Sequence, residues 1–437
     1  MKIAMLNEYK NEYRKDNFFS KENYKKIHHK SGLTIILHHM PEYNYAYGIL
    51  GVKYGSVNNE FKLIGEREFT QLPQGVAHFL EHKMFENEDG EDVFQKLSRT
   101  GAISNAYTGF NQTCYMVSAS ENFKKSLEIL IDSVMHPYFT DENVQKERGI
   151  IAQEIKMYED DPNWRCWFNL FNSLFINAPI KHDIAGTVES IQEITPELLY
   201  NCYYSYYNFN NMVLSVAGNF DFEEIIEIVD KILLTESYSR KINVVNRAIV
   251  EPIKINSSRT VMNLPVKIPC LKIGFKHRAS SLKSENFILN LKLSLINEII
   301  AGQISELYEE LYYNRSISSP IESEIFSGEG YLCSVFSCSS NKYVDIEVKI
   351  FETVENMKNH GISENSLMYA KNNFYGNYIM HMDSPEVVAE NHIDGFINDF
   401  DFVNWKDVVM NVSKRELENI LQNNYSTQNA SISIIES

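Results

Sequence analysis

The chain has 437 residues, 44% hydrophobic and 23% charged, a globular composition whose length exceeds one ordinary core and suits two domains of roughly 200 residues each. Its 41 Lys+Arg stand against 58 Asp+Glu, a formal net charge of −17 with no basic block, so phosphate backbones and anionic headgroups are repelled and neither nucleic acid nor a membrane is expected as a partner. The start, MKIAMLNEYKNEYRKDNFF, lacks a signal-peptide core, and nowhere do about 18 uncharged apolar residues follow one another, so a cytoplasmic, non-spanning protein is expected.

Residues 1–24 are polar and lysine-rich and read as a lead-in arm. Residues 33–37 (LTIIL) and 45–54 (YAYGILGVKY) are β-branched and aromatic and read as strands, the second closing on the Gly55-Ser56 turn. From Gly75 the period changes: Val76, Phe79, Leu80 and Met84 recur at helical spacing until Asn87 and Gly90 stop the pattern. A short helix over 92–97 ends at Gly101, and β-like runs at 102–107 and 113–119 flank the turn-forming Gly109-Phe110-Asn111. The helix expected over 121–134 is broken by His136-Pro137. Another opens after Thr140 with Asp141 and Glu142 in its first turn, where negative charge suits the macrodipole, and it carries Val144, Ile151, Ile155 and Tyr158 as far as Pro162. Gly186-Thr187-Val188-Glu189-Ser190 reads as a loop and cap ahead of the next helix, and 212–216 as a strand.

The second half repeats this order: strand 271–277, helices 287–304 and 306–312, strands 323–326 and 332–338, helix 343–357. Residues 93–134 and 306–354 read as one unit used twice, and a duplication at about 200 residues predicts two domains of one fold, since solenoid periods run 20 to 50. The expected divisions are an arm at 1–24, a first domain at 25–235, a linker at 236–256 and a second domain at 257–437. Six scattered cysteines without a CxxC read as reduced thiols.

His78 and His82 are four helical residues apart, about 400° of rotation and about 6 Å of rise, so both imidazoles leave one face a turn apart. That spacing lets two nitrogens reach one tetrahedral zinc at about 2.0 to 2.1 Å. Glu81 lies about 60° round from His78, beside the open side of such a metal, where it takes a proton from water instead of filling a coordination position. A hydrolytic zinc needs a third protein ligand, and Glu154, on the helix after Thr140, fits. Glu147 lies seven residues earlier on nearly the same face, placed as an outer carboxylate that orients a histidine or the water. His28-His29 and His38-His39 are adjacent pairs at strand edges, and since neighbouring strand residues point to opposite faces, neither pair can easily share a metal.

HFLEH (78–82) is the inverted HxxEH zinc motif. Together with GAISNAYT (101–108), ERGIIAQEIKMYEDDPNW (147–164), DIAGTVESI (183–191) and NMVLSVAGNFD (211–221), it resembles the insulinase/pitrilysin family of zinc metallopeptidases, in particular its short bacterial YmfH-type members. The resemblance implies an α+β protein of two tandem domains forming a half clamshell, each a mainly antiparallel sheet with helices packed on one face, and one zinc ion in the first domain. It further implies an endopeptidase for unfolded or leader-type peptides, with Glu81 as general base assisted by Glu147. The peptide would lie as an added strand along Ser104, Asn105, Ala106 and Tyr107. One departure stands out. Family members often carry, in the second domain, an Arg and a Tyr seven residues apart that grip substrate; here Tyr312 and Ser319 hold those places, with Arg315 three positions off register. A heterodimer is therefore expected, in which a paralogous subunit supplies the Arg and Tyr. The competing class, a non-catalytic peptide-binding or scaffold subunit, would have lost one of His78, Glu81, His82 or Glu154, and all four are present.

Overall fold

The computed structural model describes residues 19–20, 22–233 and 244–437. Most of the expected arm and residues 236–243 of the expected linker lie outside the described residues. The first half runs β1 (Tyr24–His28), β2 (Thr34–His39), β3 (Ala46–Val52), β4 (Glu60–Leu63), β5 (Thr70–Gln71), α1 (Val76–Lys83), α2 (Val93–Ser98), β6 (Ile103–Thr108), β7 (Thr113–Ala119), α3 (Phe123–Met135), α4 (Asp141–Glu159), α5 (Pro162–Leu174), α6 (Pro196–Tyr206), β8 (Met212–Gly218) and α7 (Phe222–Leu233). The second runs β9 (Val244–Asn246), β10 (Arg259–Asn263), β11 (Cys270–Lys276), α8 (Lys283–Ala301), α9 (Glu306–Tyr313), β12 (Glu322–Gly328), β13 (Tyr331–Ser339), α10 (Tyr343–His360), α11 (Glu364–His381), α12 (Pro385–Ile397), α13 (Trp405–Asn411), α14 (Lys414–Asn424) and β14 (Ala430–Glu436).

The duplication is visible in strand order. The first sheet is β1-β2-β8-β3-β7-β6 and the second β10-β14-β11-β13-β12. Setting β1 aside, each strand of one sheet has its counterpart in the other with the same neighbours and senses. Within both sheets only the β2·β8 and β10·β14 pairs are parallel. The short sheet β5-β4-β9 ties the start of the second half to the first.

Because side chains alternate faces along a strand, each sheet feeds two cores. Ile35, Leu37, Tyr115 and Val117 join the core beneath α1, α3 and α7, while Ile36, Cys114 and Met116 join the opposite one. Both faces are covered, which is why β3 and β8 are buried along their whole length. Each sheet's second face is covered by a helix from the other half. From the second half, α12 packs on β8 and β3, and from the first, α5 packs on β14 and β11.

The exchanged α5 explains one departure from the sequence reading. Pro162, read there as a stop, is the first residue of α5, where a missing N–H costs nothing, and Asp161 caps it by accepting from Trp164 N–H. The exchange also requires two glycines. A Cβ at Gly51 would stand 3.0 Å from Ile393 Cγ2, and one at Gly274 would stand 2.6 Å from Leu174 Cδ1. Gly274→Ala is accordingly expected to lower stability by about 1 to 3 kcal/mol through overpacking, seen as a lower urea midpoint at unchanged slope.

Two further differences are local. The long helix of the second half spans Lys283–Ala301 instead of 287–304, because Gly302 ends it. Its Leu293, Leu295, Ile296 and Ile300 are wholly buried, so its apolar character is that of a core helix. All six cysteines are free thiols.

Candidate metal centre

The centre is built where α1 and α4 meet beside the free edge of the first sheet. Gly75 caps α1 with φ 86, a left-handed conformation, and a Cβ there would meet Ala185 O at 2.3 Å. Val76, Ala77, Phe79 and Leu80 sink into the core, which fixes the helix in rotation and leaves His78 and His82 on a common side, ring centroids 4.5 Å apart. Helix α4 starts with a reciprocal cap between Thr140 and Asn143 and buries Val144, Glu147, Ile151 and Ile155 on one stripe.

Across that junction His82 Nε2 lies 3.5 Å and His78 Nε2 3.8 Å from Glu154 Oε2. These are too long for hydrogen bonds. They are close to the edge of a tetrahedron with metal–ligand bonds of about 2.1 Å, about 3.4 Å. Among the described residues this is the group of three potential ligands that meets within 4.8 Å. Two imidazole nitrogens and a carboxylate oxygen are a donor set suited to zinc, so the residues present fit the ion that the motif implies.

Around these three the outer contacts are specific. Glu147 Oε1 is 3.0 Å from His82 Nδ1, the arrangement that fixes a ligating imidazole's tautomer and aim. The other oxygen of Glu147 is 3.8 Å from Lys83 Nζ, which is wholly buried and also pairs with Glu86 at 2.6 Å. Glu81 Oε2 accepts from Thr108 Oγ1 at 2.6 Å. Tyr158 OH donates to Glu154 Oε1 at 2.7 Å. His78 Nδ1 is buried without a hydrogen-bond partner.

Charge follows from burial. Desolvation, helped by neighbouring His82, drives the His78 pKa down to about 3, keeping the imidazole neutral with a lone pair to offer. Burial also pulls on His82, but its hydrogen bond to Glu147 and the carboxylates of Glu81, Glu147 and Glu154 outweigh it and raise the pKa. Burial raises Glu81, against the Thr108 hydrogen bond and the attraction of His82. Three carboxylates facing two imidazoles leave an excess of negative charge that a divalent cation would neutralise.

Ser104, Asn105, Ala106 and Tyr107 lie on β6, the outermost strand of the sheet, adjacent to α1. Gly109 N–H bonds Gln112 O at 2.8 Å, which sets Tyr107/Cys114 and Asn105/Met116 as the hydrogen-bonded pairs. The backbone groups of Ser104, Ala106 and Thr108 therefore face the open edge. Of these residues it is Thr108, one place beyond the expected four, that touches the constellation. In the second half, Tyr312 is exposed near the end of α9, Ser319 is exposed, and Arg315 is an exposed residue at φ 51. Sequence reasoning missed Thr108, Lys83 and Tyr158 as contacts. The available signal was spacing for Tyr158, four residues after Glu154 on the same helix face.

The chain matches known proteins along most of its length. The family model for insulinase, peptidase family M16, matches residues 64–188, and the model for the peptidase M16 inactive domain matches residues 193–374. The zinc protease YmfH of Bacillus subtilis is 32% identical over 396 residues, covering 90% of this chain and 91% of that protein. A zinc protease of Rickettsia bellii is 30% identical over 59% of each chain. Among solved structures, an M16-like peptidase from Alicyclobacillus acidocaldarius superposes with a TM-score of 0.91 at 28% identity, covering 95% of this chain and 98% of that one. A protease from Helicobacter pylori shares the fold, with a TM-score of 0.80 at 20% identity over 95% of this chain and all of that one.

Proposed function

The chain belongs to the insulinase (M16) peptidase family of zinc proteases, and from that premise we propose that it is a cytoplasmic zinc endopeptidase acting on unfolded or leader-type peptides, assembled with a paralogous partner. The observation that carries the reading is the convergence of His78 Nε2, His82 Nε2 and Glu154 Oε2 at tetrahedral-edge distances. One zinc ion held by His78, His82 and Glu154 would supply Lewis acidity, lowering the pKa of a water towards about 7 from about 15.7.

The protein's own residues do the rest. An extended peptide pairs with the outward backbone groups of Ser104 and Ala106 as an added strand, with Asn105 and Tyr107 holding β6 to β7. Glu81, fixed by Thr108, accepts a proton from the attacking water and hands it to the departing amine. Glu147 aims His82 through its contact with Nδ1.

The test is the order of metal loss. Wild type is expected to carry one zinc per chain by elemental analysis. Glu154→Gln removes a bond to the metal and is expected to lose it on dialysis. Glu147→Gln leaves His82 an acceptor but removes the negative charge behind it, and is expected to weaken affinity by no more than about 10 to 100-fold. Equal loss in both, or loss confined to Glu147→Gln, would reverse the two roles, and a wild type without zinc would leave the chain as a peptide-binding scaffold.

A further inference from the structure

The segment 183–190 is more than the loop and cap its composition suggests. Asp183 Oδ2 accepts from Trp164 Nε1 at 2.6 Å, and its Oδ1 accepts from Ala185 N–H at 3.0 Å, so both oxygens are engaged. The Trp164 ring lies flat on Tyr158, centroids 4.5 Å apart and planes 17° apart. Tyr158 in turn donates to Glu154 Oε1, the oxygen not turned towards the histidines. The same loop grips the start of α1. Ser190 Oγ donates to Gln74 O at 2.8 Å, and the backbones of Ala185 and Gly186 pass so close to Gly75 and Gln74 that a Cβ on either glycine would stand within 2.5 Å of a carbonyl oxygen.

We propose that Asp183, Trp164 and Tyr158 form a positioning clasp for the third metal ligand, locking the rotation of the Glu154 carboxylate while the same loop fixes the helix that carries the two histidines. The proposal rests on the zinc reading above. A carboxylate on a partly exposed helix face can turn either oxygen, or neither, towards two imidazoles; a hydroxyl bonded to Oε1 leaves Oε2 committed to them. A phenol alone does not fix that geometry, because Tyr158 can rotate away. Trp164, held by Asp183 through its N–H, occupies the face against which Tyr158 would have to move.

The experiment measures zinc dissociation by competition with a chromophoric chelator, alongside thermal unfolding of the metal-free forms. Tyr158→Phe and Asp183→Ala are each expected to weaken zinc by about 10 to 100-fold, the usual scale for an outer partner, with metal-free unfolding little changed in Tyr158→Phe. Asp183→Asn keeps one oxygen for the indole N–H but turns an NH2 towards the Ala185 N–H, so it is expected to bind zinc more tightly than Asp183→Ala and less tightly than wild type. The double variant Tyr158→Phe/Asp183→Ala is expected to lose no more than Tyr158→Phe alone, since both release the same oxygen. Additive losses, affinity unchanged in Tyr158→Phe, or an Asp183→Asn protein that binds zinc no better than Asp183→Ala would each overturn the clasp while leaving the zinc reading intact. A wild type that binds no zinc would overturn both.

Discussion

Replacing Glu81 with Gln is expected to leave one zinc per chain and to lower peptide hydrolysis by about two to four powers of ten, the range for loss of a general base. The substitution keeps side-chain shape, and the Gln carbonyl can still accept the hydrogen bond that Thr108 gives to Oε2. What is lost is the ability to hold a proton between attack and departure of the amine. In the metal-free site burial raises the Glu81 carboxyl, against the Thr108 hydrogen bond and the attraction of His82. The check is steady-state cleavage of an unfolded peptide beside elemental zinc analysis, with His82→Ala as the metal-losing control. A Glu81→Gln protein as empty as that control would mean that Glu81 is a ligand, and the division of roles on α1 would be wrong.

The candidate metal centre is more legible in the sequence than the fold around it, for physical reasons that differ by residue. His78, Glu81 and His82 share one helix, so their relation follows from rise and rotation alone. Glu154 and Glu147 lie on another helix, and their seven-residue spacing places them on one side before any tertiary contact is known. Thr108 and Lys83 are harder to read: a strand threonine is ordinary, and a lysine in a core is recognisable only once Glu86 and Glu147 are seen around it. The exchange of α5 and α12 between halves left still less trace. Pro162 marks a boundary whether a helix ends before it or starts on it, and only the cap from Asp161 to Trp164 N–H decides between the two. Helix α11 shows almost no apolar side, so periodicity gives no warning of it. The glycines at 51 and 274 lie inside expected strands, and the need for them is visible only once Ile393 and Leu174 are found against them.

The purified chain alone is expected to cleave peptides poorly, and a paralogous chain of similar length, itself lacking HxxEH, is expected to restore activity by adding an Arg and a Tyr. The three candidate ligands all come from this chain, so the expected deficit concerns charge on the carbonyl oxygen during attack. Each missing donor is worth roughly 2.7 to 4 kcal/mol in comparable sites, or about two to three powers of ten in rate. In-chain substitutes are weak candidates. Tyr331 is 1% exposed, its hydroxyl donates to Asn111 Oδ1 at 2.9 Å, and its ring fills the space beside Gly328 where a Cβ would otherwise sit. Tyr312 is exposed near the end of α9 and Arg315 is exposed at positive φ, neither in the register of the expected pair. A partner of the same duplicated fold can present its own second half to the open edge of β6, completing the clamshell over Glu81 and the two histidines. The measurement is the rate of peptide cleavage by the chain alone and after titration with the paralogue, repeated with that paralogue's Arg and Tyr removed. Cleavage at full rate by the isolated chain, unmoved by the second protein, would sink the proposal and make Arg315 and Tyr312 the next residues to replace.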